Sequence, residues 1–106
     1  MSFKNIVALP LLFLLLPACT WVDLSPEGEK ARVLDASEVT KCTYVGRTTS
    51  TTTAKVVGIK RHDNAINFEL TSLARNAAGR MGGDTVVADG EIKDGKQVFQ
   101  VYRCVP

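Results

Sequence analysis

A chain of 106 residues, 23% charged and 45% hydrophobic, holds one globular domain at most. Its formal net charge of +2 is small and dispersed, which excludes the clustered basic footprint of a nucleic-acid-binding protein. One histidine and three cysteines leave little material for a metal centre, and the acids are too scattered for a calcium loop.

The chain opens on a short apolar segment. Ile6 to Leu16 is 11 residues without a charge, interrupted by Pro10 and preceded by Lys4. A helix needs roughly 20 apolar residues to cross the hydrocarbon core, so this run is too short to span it. A positive start, a short apolar middle and a small residue before the break are the pattern of a secretory signal peptide. Pro10 and Pro17 argue against a buried core helix. The break itself, Leu16-Pro17-Ala18-Cys19, resembles a bacterial lipobox, with Leu three residues before the cut and Cys immediately after it. That resemblance implies cleavage before Cys19, lipidation of its thiol and acylation of the new amino terminus. Pro17 departs from the small residue usual at its place. A simple signal peptide, with Cys19 free or in a disulfide, is the competing reading. Thr20 is not the aspartate that resembles an inner-membrane retention signal, which favours the periplasmic leaflet of the outer membrane. Two or more acyl chains anchor stably where one holds only weakly.

The expected organisation is a signal peptide over residues 1–18, a lipidated amino terminus and short tether over 19–30, and a compact domain over 31–106. Loss of Lys4 takes Lys+Arg from 13 to 12 against 11 Asp+Glu, a formal +1 for the mature chain. The tether holds Ser25-Pro26, Gly28 and three acids, and at no more than about 3.6 Å per residue it reaches roughly 40 Å. Trp21 and Val22, beside the lipid, would rest at the bilayer interface or pack on the domain.

Ala31 to Leu34 reads as a short strand, and Asp35 to Glu38 as a turn or one helical turn. Cys42 to Arg47 leads into Thr48-Thr49-Ser50-Thr51-Thr52-Thr53, whose β-branched threonines favour a strand or strand–turn, with a flexible or glycosylated segment as the alternative. Val56, Val57 and Ile59 continue the apolar signal. From Asn64 to Met81, Ile66, Leu70, Leu73, Ala74, Ala77 and Met81 fall on one face of a 3.6-residue period, which predicts a helix. Asn67, Glu69, Ser72, Arg75, Asn76 and Arg80 fall elsewhere. Asp63 or Asn64 would cap the start, and Gly82-Gly83 would stop it. Asp84 to Ala88 reads as a strand and Asp89 to Gly95 as a hairpin loop. In the last strand, Val98, Gln100 and Tyr102 share one face and Phe99 and Val101 the other, so an inner strand is expected. The order β-β-α-β-β predicts an α+β fold, one helix on one face of a small, mostly antiparallel sheet of about four strands.

Little chemistry is legible. If Cys19 carries lipid, Cys42 and Cys104 remain as a pair, and an oxidising periplasm favours a structural disulfide. Their spacing is wrong for a redox CxxC motif. No GxSxG elbow occurs, and His62 beside Asp63 reads as an exposed neighbour pair rather than a catalytic one. Gly82-Gly83-Asp84 lies between helix and strand, the wrong order for a phosphate cradle. Neither a cofactor nor a metal is expected.

The blocks "TWVDLSPEGEKARVL", "KCTYVGRTTSTTT", "VVGIKR", "LARNAAGRMGGDTVV" and "VFQVYRC" resemble, in that order, the Domain of Unknown Function 4156 family of small Gram-negative lipoproteins. The resemblance implies one small α+β domain, a cysteine pair matching Cys42 and Cys104, and no enzymatic activity. More remotely, the helix with "AR" and the "GGDTVV" that follows it are similar to the signalling domain of the Rcs envelope-stress sensor lipoprotein. The chain lacks that protein's second cysteine pair and long proline-rich linker. The functional expectation is a non-enzymatic outer-membrane lipoprotein whose domain binds or signals to another envelope component. Lys60, Arg61 and the Asp89–Gly95 loop are its candidate contacts. The alternative is a structural, small-ligand or peptidoglycan-binding envelope factor.

Overall fold

The structure is a computed structural model that describes residues 22–56 and 59–106. The signal-peptide reading, the lipobox, Cys19 and Trp21 lie outside those residues. In chain order the elements are helix α1 (Pro26–Lys30), strand β1 (Arg32–Val33), a 3-10 turn (Ala36–Glu38), β2 (Thr43–Thr51), β3 (Lys55–Val56), β4 (Ile59–Lys60), helix α2 (Asp63–Arg80), β5 (Thr85–Lys93) and β6 (Lys96–Arg103). Four strands form one sheet in the order β1-β5-β6-β2, and β3 pairs with β4 in a separate hairpin. Only β1–β5 is parallel; β5–β6 and β6–β2 are antiparallel. With α2 packed on one face, this is the expected α+β fold, and β6 is an inner strand.

Helix α2 is long enough to be shaped by its apolar face. Ile66, Leu70, Ala74 and Ala78, four residues apart, pack with Ala31, Val86, Phe99 and Val101 in the core. The alanines bring the helix close to the sheet, so that Leu70 and Phe99 are fully enclosed. Burial of each such side chain stabilises the fold by about 1.5–3 kcal/mol. The helix ends in a Schellman turn: the Gly83 N–H donates to the Ala78 carbonyl and the Gly82 N–H to the Gly79 carbonyl. Gly82 supplies the required positive φ of 83°.

Other expectations about the helix are corrected. His62 is the N-cap, not Asp63 or Asn64; its side chain accepts the Asn64 N–H. Glu69 and Ser72, expected on polar faces, are buried, whereas Leu73 is half-buried and Met81 is exposed at the helix end. A helix lying close to a four-stranded sheet buries more than one narrow stripe, and the flank bearing Glu69 is enclosed with it.

The expected tether is also shorter. Residues 26–30 form α1, with Pro26 in the first turn and Ser25 as N-cap accepting the Gly28 N–H. The arm docks on α2. Asn76 accepts from the Ser25 N–H and hydroxyl and donates to the Asp23 carbonyl, while Arg75 donates to the Ala31 and Glu29 carbonyls. Gly79 makes this approach possible, since a Cβ there would lie 2.5 Å from Glu27 Cβ. The compact unit therefore begins ahead of Ala31.

The supposed hairpin loop is mostly strand. β5 runs to Lys93, and only Asp94 and Gly95 turn the chain, with φ of 51° and 72°. Two successive positive φ values suit a tight turn whose twist matches the strands, and Asp-Gly is a preferred pair for it. Lys93 faces Lys96 across the turn, and a register irregularity lies between Asp89 and Lys93. At the opposite end of the sheet Cys42 and Cys104 form a disulfide, Cα atoms 4.4 Å apart, next to the Thr43–Arg103 pair that begins the β2–β6 ladder.

Candidate functional site

The two basic residues expected to meet a partner do not share a role. Lys60 lies in β4, backbone-paired with Lys55; its side chain lies outside the described residues. Arg61 is turned inward. Its guanidinium grips Glu69 in a two-pronged bridge of 2.9 and 2.6 Å and donates a further bond to the Thr53 carbonyl. Thr52 donates its hydroxyl to the same carboxylate at 2.7 Å. The Arg61 and Glu69 side chains are 11% and 1% exposed. A carboxylate this deep requires a charged, bidentate partner, and the planar guanidinium supplies one. The hydrogen bond to Glu69 holds Arg61 further above its ordinary pKa, against the opposing effect of desolvation. Arg61 thus fastens the end of β2 and the β3–β4 hairpin to α2, with its side chain mostly covered rather than exposed.

His62 is exposed, as expected, but has a local task. Its Nδ1 accepts the Asn64 N–H and so caps the start of α2. Asp84 is a second local organiser. One carboxylate oxygen accepts the Cys104 N–H and the Thr85 hydroxyl, and the other accepts the Val105 N–H. Burial opposes its charge, but these donors and the Arg32 charge outweigh that effect and hold its pKa below the ordinary carboxyl value. Among the described residues, no three His, Cys, Asp or Glu side chains cluster as metal ligands. None of the described helices is long and apolar enough to cross a membrane.

Two concavities flank the β5–β6 turn. A groove of about 530 Å³ lies between the start of α2 and the β5–β6 turn, bordered by Lys55, Asp63, Asn64, Asn67, Ile92 and Asp94. A shallower trough of about 350 Å³ lies on the other side of that turn, bordered by Thr49, Asp89, Glu91, Lys93, Lys96 and Val98. The trough continues into the sheet face turned away from α2.

That face is built by register. Phe99 and Val101 point to the core, so Val98, Gln100 and Tyr102 point outward. Their antiparallel partners on β2, Thr49, Arg47 and Tyr44, share the face, as do Asp89 and Val87 on β5. The irregularity between Tyr44 and Gly46 is decisive here, because Val45 is the unpaired residue. It lets Val45 pack against the core while Tyr44 stays outside beside Tyr102.

The outward side chains are linked. The two tyrosine rings meet edge to face with centroids 5.5 Å apart. Tyr44 donates its hydroxyl to Gln100 Oε1 at 2.8 Å, and Gln100 Nε2 donates to Asp89 at 2.7 Å. One hydrogen-bonded row therefore crosses β2, β6 and β5. The period-two pattern of β6 revealed the shared face of Val98, Gln100 and Tyr102, but not its partners on the other strands.

The match with known proteins agrees with these boundaries. The family model described as a domain of unknown function (DUF4156) covers residues 22–104, from the docked arm to the second disulfide cysteine. No curated protein and no solved structure matches the chain. The chain belongs to the DUF4156 family.

Proposed function

We propose that the protein is a non-enzymatic lipoprotein of the outer membrane, anchored through Cys19 on the periplasmic face, whose compact domain binds another component of the envelope. The supporting observation is the short distance between the lipobox-like Leu16-Pro17-Ala18-Cys19 and the docked arm. Asp23 is already hydrogen-bonded to Asn76 on α2. Cys19 to Asp23 extends no more than about 14 Å, so an acylated Cys19 keeps the domain against the bilayer. Such a protein meets partners brought to the membrane rather than reaching across the periplasm to them.

The non-enzymatic reading is supported by the uses of the titratable groups. His62 caps a helix, Glu69 is bound by Arg61 and Thr52, and Asp84 is bound by backbone N–H groups. The outward sheet face and its adjoining trough offer Tyr44, Arg47, Thr49 and Asp89 to solvent, while Thr85 and Val87 on the same face are buried. The test is crosslinking in intact cells followed by affinity purification of the full chain. A discrete protein or glycan adduct that requires Cys19 supports the proposal. Retention of the same adduct by a Cys19→Ser protein released from the membrane would show that anchoring is not part of the binding function.

A further inference from the structure

The outward face of the sheet has a composition that specifies a class of ligand. Tyr44 is 55% exposed, yet its ring is held by an edge-to-face contact and its hydroxyl by Gln100. Gln100 is held in turn by Asp89, itself exposed. Ordering exposed side chains costs conformational entropy and gains little burial in return. The same order lowers the cost of binding a ligand that meets the row as it stands.

The row leaves defined capacity unused. Tyr44 is the more exposed ring of the edge-to-face pair, with Tyr102 half-buried beside it. The Tyr44 oxygen can still accept, Gln100 retains one N–H, Asp89 retains one carboxylate oxygen, and Arg47 adds a fork of donors beside Gln100. Charge narrows the choice. Arg47, Lys93 and Lys96 on the face and trough stand against Asp89, Glu91 and Asp94, and Arg32, paired with Thr85 in the row of the two tyrosines, adds one positive charge. A face of both signs with a net charge of only about +1 favours neither a polyanion nor a polycation.

We propose that this face binds a neutral glycan chain. Pyranose C–H groups carry the slight positive charge that an aromatic face attracts, and the ring hydroxyls both donate and accept. Tyr44 and Tyr102 form the stacking platform; Gln100, Asp89 and Arg47 read the hydroxyls. From Tyr102 to Lys96 the strip extends for about 20 Å along β6, long enough for an oligosaccharide rather than a single sugar. The inference rests on the domain being a binding module, and names the chemistry that it binds.

The test is NMR titration of the full chain in detergent micelles with two soluble probes, an N-acetylglucosamine tetramer and a maltose-series tetramer. Saturable shifts at Tyr44, Gln100, Tyr102 and Arg47 with either probe are expected at millimolar concentration. Tyr44→Ala should weaken that binding by about tenfold or more, the scale of a truncated central aromatic. Tyr44→Phe keeps the ring and loses only the hydroxyl, so it should weaken binding less. Phe68→Ala, on the exposed side of α2, should leave it unchanged. No saturable shifts with either probe, or shifts that survive Tyr44→Ala, overturn the inference. So do shifts of the same residues with phosphatidylethanolamine vesicles and not with glycan, which would make the tyrosines a lipid contact. None of these outcomes bears on whether Cys19 is acylated, which fractionation of the Cys19→Ser protein decides separately.

Discussion

Reduction of the Cys42–Cys104 disulfide is the perturbation with the most direct magnitude. The bridge joins residues 62 apart in sequence. In the chain-entropy model a crosslink at that separation removes about 14 cal/mol/K from the unfolded ensemble, or about 4 kcal/mol at room temperature. At roughly 0.05–0.15 kcal/mol per residue, a domain of about 85 residues is stable by only some 4–13 kcal/mol. The bridge therefore contributes a third of the stability at least. Equilibrium urea unfolding, followed by far-UV circular dichroism with and without reductant, measures the effect. With a slope near 1 kcal/mol per molar for so small a domain, the midpoint should fall by about 4 M, or the reduced protein should be unfolded without urea. The slope should rise, because the reduced unfolded chain is more expanded. A midpoint shift below about 1 M would rule out a contribution of this size. It would mean that pairing of β2 with β6 and the Asp84 bonds to the Cys104 and Val105 N–H groups already fix this end of the sheet.

Three further outcomes are expected. Gly79→Val should push α1 off α2, because its new side chain occupies the place of Glu27 Cβ; overpacking of this kind costs about 1–3 kcal/mol. Hydrogen exchange at Gly28 and Glu29 should accelerate well before the sheet is affected. Arg61→Ala should lower the thermal midpoint by scanning calorimetry, since it leaves the Glu69 carboxylate enclosed without its guanidinium; an unchanged midpoint would show that the bridge adds nothing net to stability. The folded pKa of Asp84 lies below its unfolded value of 3.8, so its stabilisation is complete above about pH 4 and is lost as pH falls through the folded pKa. Asp84→Asn should therefore be less stable at neutral pH and show a shallower loss of urea midpoint between pH 4 and acid pH.

Much of this fold is legible locally. The β-branched threonines of β2, the four-residue spacing along α2 and the double glycine after it all specify backbone states that neighbouring residues suffice to determine. The errors share one cause. The segment Ser25-Pro26-Glu27-Gly28 has the composition of a linker, and becomes a docked helix only through Asn76, Arg75 and Gly79, about fifty residues away. Glu69 looks like a solvent-facing residue until Arg61 and Thr52 are brought to it by the turn into α2. The Asp94-Gly95 turn was within reach of local reading, since Asp-Gly is a hairpin pair, but the charges from Asp89 onward resemble a loop. The outward face needed register. A single bulge beside Tyr44 decides that the two tyrosines share one side of the sheet, and no periodicity in either strand alone reveals it.

The anchor proposed at Cys19 and the Cys42–Cys104 disulfide are both read by one experiment, the intact mass of the full-length gene product, extracted from membranes and alkylated before and after reduction. The expected species begins at Cys19, carries the added mass of acyl chains, and has no alkylatable thiol until reductant exposes two. An unacylated product recovered in the soluble fraction, with thiols that alkylate without reduction, would overturn both the anchor and the disulfide.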